Sequence, residues 1–480
     1  MGLRTERGAN MRNFVTTRLS KSRLHVLAVF AVLFVIYLLT PYDSTVRSAF
    51  RFQQTIVSDY IQHKYSSDKW LLGAQKYPID PNHDVGVVIK TGYGTRRRMP
   101  NMLDAYSKQN FTGDMIIVQD YPVEDNSQNY TLPNGKNVPT LDVIGWMLEN
   151  KMLAGKETLE RVSKYRHLSE AIEGEELFLS EELSKDIGWE LDAMKFISGL
   201  QYAWETMPKK KWYLMVDDDT YVLKESLILL LGHVNYAKPQ YLGNAVGDYK
   251  GRFAHGGSSA LISGAAMKKL FQDNPQVAAA AHLESPTAIY GDKLLSTTLM
   301  KLGIYLDEAY NRLFNGEEPH STRIWGDRFC VPLVSFHGLG SGNAMEQVGN
   351  TFQTVKEPVF WRQLAKIYGG TEWDTFLKEP IRVSQNFVGR LDEHTTTIRN
   401  TFTVEDCLHK CLSRGGECLA WTWDQGRKEC YIAPWTIIGD FQDGVFSGVN
   451  GPVATKLASH CHSPPAPAKL AHAKAPKPAA

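Results

Sequence analysis

Residues Lys211 to Val222 read KWYLMVDDDTYV. Trp212 to Val216 has the length and β-rich composition of a buried strand, and such a strand does not ordinarily end in three consecutive carboxylates. The mutual repulsion of Asp217, Asp218 and Asp219 has to be offset by something. If extended geometry persists, side chains alternate, so Asp217 and Asp219 share one face and Asp218 turns to the other. Two carboxylates on one face make half a site for a hard divalent cation, which keeps open positions for water or phosphate oxygens. Capping a helix or turn is the competing use of aspartate, but a cap needs one carboxylate rather than three.

The surroundings suit such a site. Glu190 to Glu205 (ELDAMKFISGLQYAWE) spaces Leu191, Met194, Phe196, Ile197, Leu200 and Trp204 as one helix leading into the strand. Upstream, DVGVVIKTG (Asp84 to Gly92) and GDMIIVQDY (Gly113 to Tyr121) read as short strands, and Glu124 to Pro139 as a polar loop. Alternating strands and helices predict an α/β domain, whose ligands gather at the carboxyl ends of strands. The aspartates stand at such an end.

The chain of 480 residues has room for more than one domain, and a net charge of +1 leaves no electrostatic footprint for nucleic acid. Leu24 to Leu39 is apolar apart from His25 and follows Arg4, Arg7, Arg12, Arg18, Lys21 and Arg23. That pattern predicts a basic cytosolic tail over 1–23 and a type II signal anchor in a lipid bilayer over 24–40, with a cleaved signal peptide as the rival. Either places the bulk of the chain in the lumen of the Golgi or endoplasmic reticulum. Sequons at Asn110 and Asn129 agree with glycosylation there. Residues 41–83 read as a stem, and 461–480, rich in proline, alanine and lysine, as a disordered tail. Four of the six cysteines, Cys407, Cys411, Cys418 and Cys430, crowd one short interval, which suggests a stapled module in an oxidising compartment.

The strand with its aspartates is followed by FAHGGSSALIS (Phe253 to Ser263), YGDKLLSTTLMKLGI (Tyr290 to Ile304) and VSFHGL (Val334 to Leu339), and preceded by KTG (Lys90 to Gly92) and GWELDAMKF (Gly188 to Phe196). In this order the motifs resemble those of the Fringe and core-1 β1,3-galactosyltransferase-like glycosyltransferases. The resemblance implies a GT-A, Rossmann-like domain over 84–385 and inverting transfer of a hexose or N-acetylhexosamine from a UDP-sugar to a glycan or glycoprotein acceptor. It further implies a metal site of Asp219 and His337 supported by Asp217, with Mn2+ preferred over Mg2+ for a mixed carboxylate and imidazole shell. Donor contacts are implied for Lys90, Thr91, Asp192, Asp218, Gly256 and Gly257, and the role of catalytic base for Asp292.

Each of these residues also has a plainer use. His337 suits a core histidine, Gly256 and Gly257 a tight turn, Lys90 a surface charge, Asp192 and Lys195 an i to i+3 ion pair, and Asp292 a helix N-cap. The chain departs from the family at His255, where a small or hydroxyl residue is usual, and at Gly291 and Lys293 on either side of Asp292. A lysine side chain that met Asp292 would weaken it as a base. Glu284, Asp307 and Glu317 are the other candidates. Arg96, Arg97 and Arg98 could reach phosphates, though at least two of the three are expected in a solvated loop.

TVEDCLHKCLSRGGECLAWTWDQGRKECYI (Thr403 to Ile432) resembles a PAN or apple domain, expected over 386–460. That resemblance implies the pairs Cys407 with Cys430 and Cys411 with Cys418; Cys330 and Cys461 are left free or joined to each other. Trp421 and Trp423 suit a core or a sugar platform. The fold class expected is therefore α/β, a GT-A domain with a small α+β disulfide-stapled domain and an N-terminal transmembrane helix. Two other functions fit the same residues, an inactive adhesion or carbohydrate-binding protein and a metal-dependent hydrolase.

Overall fold

The computed structural model describes residues 21–65, 68–122 and 130–462. At its centre six strands form one sheet: β1 (Val85–Lys90), β2 (Asp114–Gln119), β3 (Thr140–Asp142), β4 (Trp212–Asp217), β5 (Tyr241–Gly243) and β6 (Ala260–Ser263), in the order β3-β2-β1-β4-β6-β5. β1, β2, β3 and β4 run parallel, and β6 runs antiparallel to both of its neighbours. Alternation of side chains divides the apolar residues between two faces. Val85, Val87, Ile89, Leu214 and Val216 enter one core, and Val88, Ile116, Val118, Tyr213 and Met215 the other.

The helix expected over 190–205 is two helices, α4 (Leu177–Asp192) and α5 (Lys195–Thr206), separated by a turn at Ala193 and Met194. The turn has an electrostatic logic. It sends Asp192 toward Lys90 and buries Lys195 against Asp120 at 2.6 Å, while the nominal Asp192 to Lys195 pair is 3.8 Å apart. Gly199 lets α5 approach the sheet closely, since a Cβ there would stand 3.2 Å from Val118. Part of the expected polar loop is a short hairpin of Tyr130–Thr131 with Asn137–Val138.

The amino end departs from expectation. Residues 21–39 form a helix (α1, Lys21–Leu39), but among the described residues no helix is long and apolar enough to cross a membrane. The apolar run of Leu24 to Leu39 rises only about 24 Å against a hydrocarbon core of about 30 Å, and the rest of the helix is Lys21, Ser22 and Arg23. The next helix, α2 (Thr45–Tyr65), belongs to the expected stem and docks on the sheet domain: Arg51 covers the Tyr305 ring at 3.9 Å and Tyr305 donates to the Tyr42 carbonyl at 2.8 Å. Further along, Leu71 is fully buried against Leu229 and Phe360.

Carboxyl-terminal to the sheet domain, β7 (Arg382–Asn386), β8 (Thr396–Arg399), β9 (Ala420–Asp424), β10 (Glu429–Ala433) and β11 (Asp440–Val449) make a second sheet ordered β7-β11-β9-β10-β8. Disulfides Cys407–Cys430 and Cys411–Cys418 tie the helix Val404–Leu412 to this sheet and its loop. Cys330 and Cys461 are joined to each other. Trp421 is fully buried and Trp423 nearly so, its indole N–H donating to the Thr401 carbonyl at 2.8 Å, so both are core residues rather than a sugar platform. The module does not hang free: Ile324–Trp325 pairs with Trp435–Thr436, and Ala420, Trp435 and Val449 join the core beneath the first sheet. His462 donates its backbone N–H to Asp68 at 2.7 Å. The rest of the expected tail, 463–480, the basic tail over 1–20 and the sequon residue Asn129 lie outside the described residues. Asn110 is exposed.

Candidate active site

The carboxyl ends of β1 and β4 lie side by side in register, Lys90 opposite Asp217. This puts the Lys90 ammonium 2.6 Å from Asp217 Oδ1 and 2.9 Å from Asp192 Oδ2, and 3.9 Å above the Phe196 ring. Lys90 is therefore not a surface charge, since only 1% of its side chain is exposed. Burial opposes its charge, yet the two carboxylates outweigh burial and hold its pKa above the usual lysine value.

β4 ends at Asp217, and Asp218 and Asp219 lie in the turn that follows. Asp218 faces away from its neighbours and is nearly buried; it accepts from the Thr91 hydroxyl at 2.7 Å and from Arg98 at 3.1 Å. Desolvation pushes its carboxyl pKa up. Asp219 turns back toward Asp217. Residues Tyr221–Val222 pair antiparallel with Ser335–Phe336, and Leu339 donates its N–H to the Asp219 carbonyl at 3.0 Å. That two-stranded clamp delivers His337, whose Nε2 lies 3.2 Å from Asp219 Oδ1. Burial raises the pKa of Asp219, but the imidazole more than reverses this and holds it low; burial depresses His337, and Asp219 more than reverses that in turn.

One ligand atom each from Asp217, Asp219 and His337 lie within 4.8 Å of one another. Two carboxylates and an imidazole, all partly buried, make a donor set that fits a divalent cation, and Mn2+ ahead of Mg2+. The cradle is completed by backbone without side chains. A Cβ at Gly257 would collide with the His337 ring, and one at Gly256 would come within 2.7 Å of Phe196. His255, the residue where the family usually has a small or hydroxyl side chain, holds the Ser258 hydroxyl at 2.8 Å and meets the His337 ring edge-on at 5.4 Å.

Asp292 lies across from this cluster. It is not the N-cap of its helix, α6 (Gly291–Lys301); Tyr290 holds that position and Asp292 sits in the first turn. Its Oδ2 accepts from the Gly256 N–H at 3.0 Å and its Oδ1 from the Lys293 N–H at 2.8 Å. Lys293 thus meets Asp292 through its backbone, while its side chain runs beside Gly251. Burial of Asp292 prevails over the hydrogen bond from Gly256 and the charge of Lys90, and its pKa is raised. The other candidate acids are occupied elsewhere: Glu284 with Lys301, Asp307 with the Ala309 N–H, and Glu317 with Arg323.

Two cavities meet along a wall of Lys90, Trp189, Asp192, Asp217 and His337. One, of about 440 Å3, holds Asp292, His255, Gly256 and Gly257; the other, of about 340 Å3, holds Thr91, Arg98, Asp218 and Asp219. The candidate metal ligands, the donor-contact residues and Asp292 all lie on one or both of them, whereas Glu284, Asp307 and Glu317 line neither. Arg98 is the one of the three neighbouring arginines that reaches the aspartates. Its neighbours Arg96 and Arg97 both pair with Glu181, whereas Arg98 reaches Asp218 and also Asp219 at 3.4 Å. Its one sequence signal is position, shortly after the first strand, where a basic residue faces the same sheet edge as the aspartates.

Residues 193–291 match the family model described as Fringe-like. The match covers 99 of the 480 residues. The Fringe-like segment contains Asp217, Asp218, Asp219, Gly256 and Gly257 and ends at Gly291, immediately before Asp292. Lys90, Thr91, Asp192 and His337 lie outside it: Lys90 and Thr91 reach the site at the end of β1, Asp192 at the end of α4 and His337 through the two-stranded clamp. No curated protein matches the chain.

Proposed function

We propose that this protein is an inverting, metal-dependent glycosyltransferase that moves a hexose or N-acetylhexosamine from a UDP-sugar to a glycan or glycoprotein acceptor, in β1,3 linkage. The observation that carries the reading is the convergence of Asp217, Asp219 and His337 on the wall between two cavities, with Asp292 in one of them. Mn2+ or Mg2+ held by those three residues would offset the charge of a departing diphosphate. Lys90 fixes Asp192 and Asp217 in place, and Arg98 and Thr91 bound the cavity assigned to the nucleotide. Asp292 takes the proton of the acceptor hydroxyl as its oxygen bonds to the anomeric carbon. The bond from that carbon to the diphosphate breaks on the opposite face and the electron pair leaves with the diphosphate, so configuration inverts. Two backbone N–H groups aim the carboxylate, and its raised pKa strengthens it as a base. The three disulfides support an oxidising compartment, the lumen of the Golgi or endoplasmic reticulum.

A screen of UDP-sugars with glycan acceptors, with and without chelator, tests the reading on the full chain beside Asp219→Ala and Asp292→Ala. Both variants are expected to lose transfer, and only Asp219→Ala to lose metal-dependent UDP binding. Donor hydrolysis that ignores the acceptor would point to a hydrolase instead, and no turnover of any donor to a binding protein.

A further inference from the structure

The cavity that holds Asp292 opens past a cluster of side chains the reaction does not use. Trp189, at the end of α4, is 63% exposed; Tyr290, just before α6, is 48% exposed; Ile289 beside it is 67% exposed. Trp189 and Tyr290 meet edge to face at 5.7 Å, so each fixes the other's ring although they come from different elements. All three line the cavity, and Tyr290 is separated from Asp292 by Gly291 alone. Large aromatic and aliphatic side chains left open to water at the mouth of a cavity mark a binding surface. Deeper in the same cavity stand Asp192, Asp217 and Asp292, with Lys90 already engaged by the first two.

We infer that Trp189 and Tyr290 form the acceptor subsite, a platform that stacks the apolar C–H face of a neutral sugar ring and directs its hydroxyl at Asp292. This rests on the transferase reading above. Asp292, held by backbone N–H groups and, among the described residues, by no ion pair, selects against acidic sugars, because an anionic ring directed at it would meet like charge. Two aromatic rings held by each other need little ordering on binding, so the platform contributes affinity without a large entropic cost.

The test uses the full chain and a panel of neutral and acidic methyl glycosides as acceptors. Tyr290→Ala and Trp189→Ala are each expected to raise the acceptor KM by about three- to tenfold. Tyr290→Phe is expected to restore it, since the ring rather than the hydroxyl does the stacking. The donor KM of Tyr290→Ala is expected to stay within twofold, because Tyr290 lines only the acceptor cavity. Binding is read separately as quenching of tryptophan fluorescence by neutral methyl glycosides, a signal that Trp189→Phe should abolish. Fluorescence keeps the two readings apart: quenching without any transfer would remove the proposed reaction and leave the platform standing. Acceptor KM values unchanged in both alanine variants, or preference for an acidic acceptor, would overturn the platform.

Discussion

The two cavities that meet at Lys90 are built by opposite means. On the nucleotide side nearly every charge is engaged: Asp218 by Thr91 and Arg98, Asp219 by Arg98 and His337, Lys195 by Asp120. On the acceptor side the wall is aromatic, its rim is exposed, and Asp292 is held only by backbone N–H groups. The difference suits the occupants proposed for each. A diphosphate with its cation needs fixed charges whose mutual orientation is set before binding, whereas a sugar ring needs a flat apolar surface and one proton acceptor with free lone pairs.

The comparison can be broken at several points. Asp292→Asn keeps the acceptor for the Gly256 N–H but cannot take a proton, so transfer should fall by about 10²- to 10⁴-fold while donor binding persists. Equal loss of donor binding, measured by calorimetry, would mean the two sides are not separable. Lys90→Met removes the buried cation from between Asp192 and Asp217. Thermal unfolding should show a loss of up to about 3 kcal/mol, the low end of the range for a broken buried pair because both carboxylates are partly exposed.

Gly257→Ala forces a methyl group into the His337 ring, and a cost of about 1–3 kcal/mol in stability is expected together with weaker metal affinity. The smallest effect concerns pH. Because burial raises the pKa of Asp292, the transfer rate should fall as pH drops through a value above the ordinary carboxylate range near ~4, the base being lost on protonation. Lys293→Gln should move that acid limb by less than about half a pH unit, since only the backbone of Lys293 touches Asp292. A larger shift in the rate profile would show that the ammonium governs the base after all.

Much of the frame was legible in the chain. Unbroken β-rich apolar runs in VGVVI and WYLMV announced buried strands, and DDDT announced a cluster of carboxylates at a strand end, because both signals are local. The spacing of Cys407, Cys411, Cys418 and Cys430 marked a stapled unit for the same reason. The break between α4 and α5 was not legible. Apolar spacing runs through it without interruption, and only the burial of Lys195 beside Asp120 explains why the helix turns there. The membrane anchor expected over 24–40 is not supported, because the helix ends at Leu39 and its apolar run falls short of a bilayer core.

By itself the sequence determined which residue types were available and which segments were strand, helix or staple, since these follow from periodicity and local sterics. The meeting of His337 with Asp219, the sharing of Lys90 between Asp192 and Asp217, and the exposure of Trp189 beside Tyr290 were decided only by tertiary structure. Each joins elements far apart in the chain through strand pairing and helix packing, and a contact of that kind leaves no mark on the spacing of neighbours.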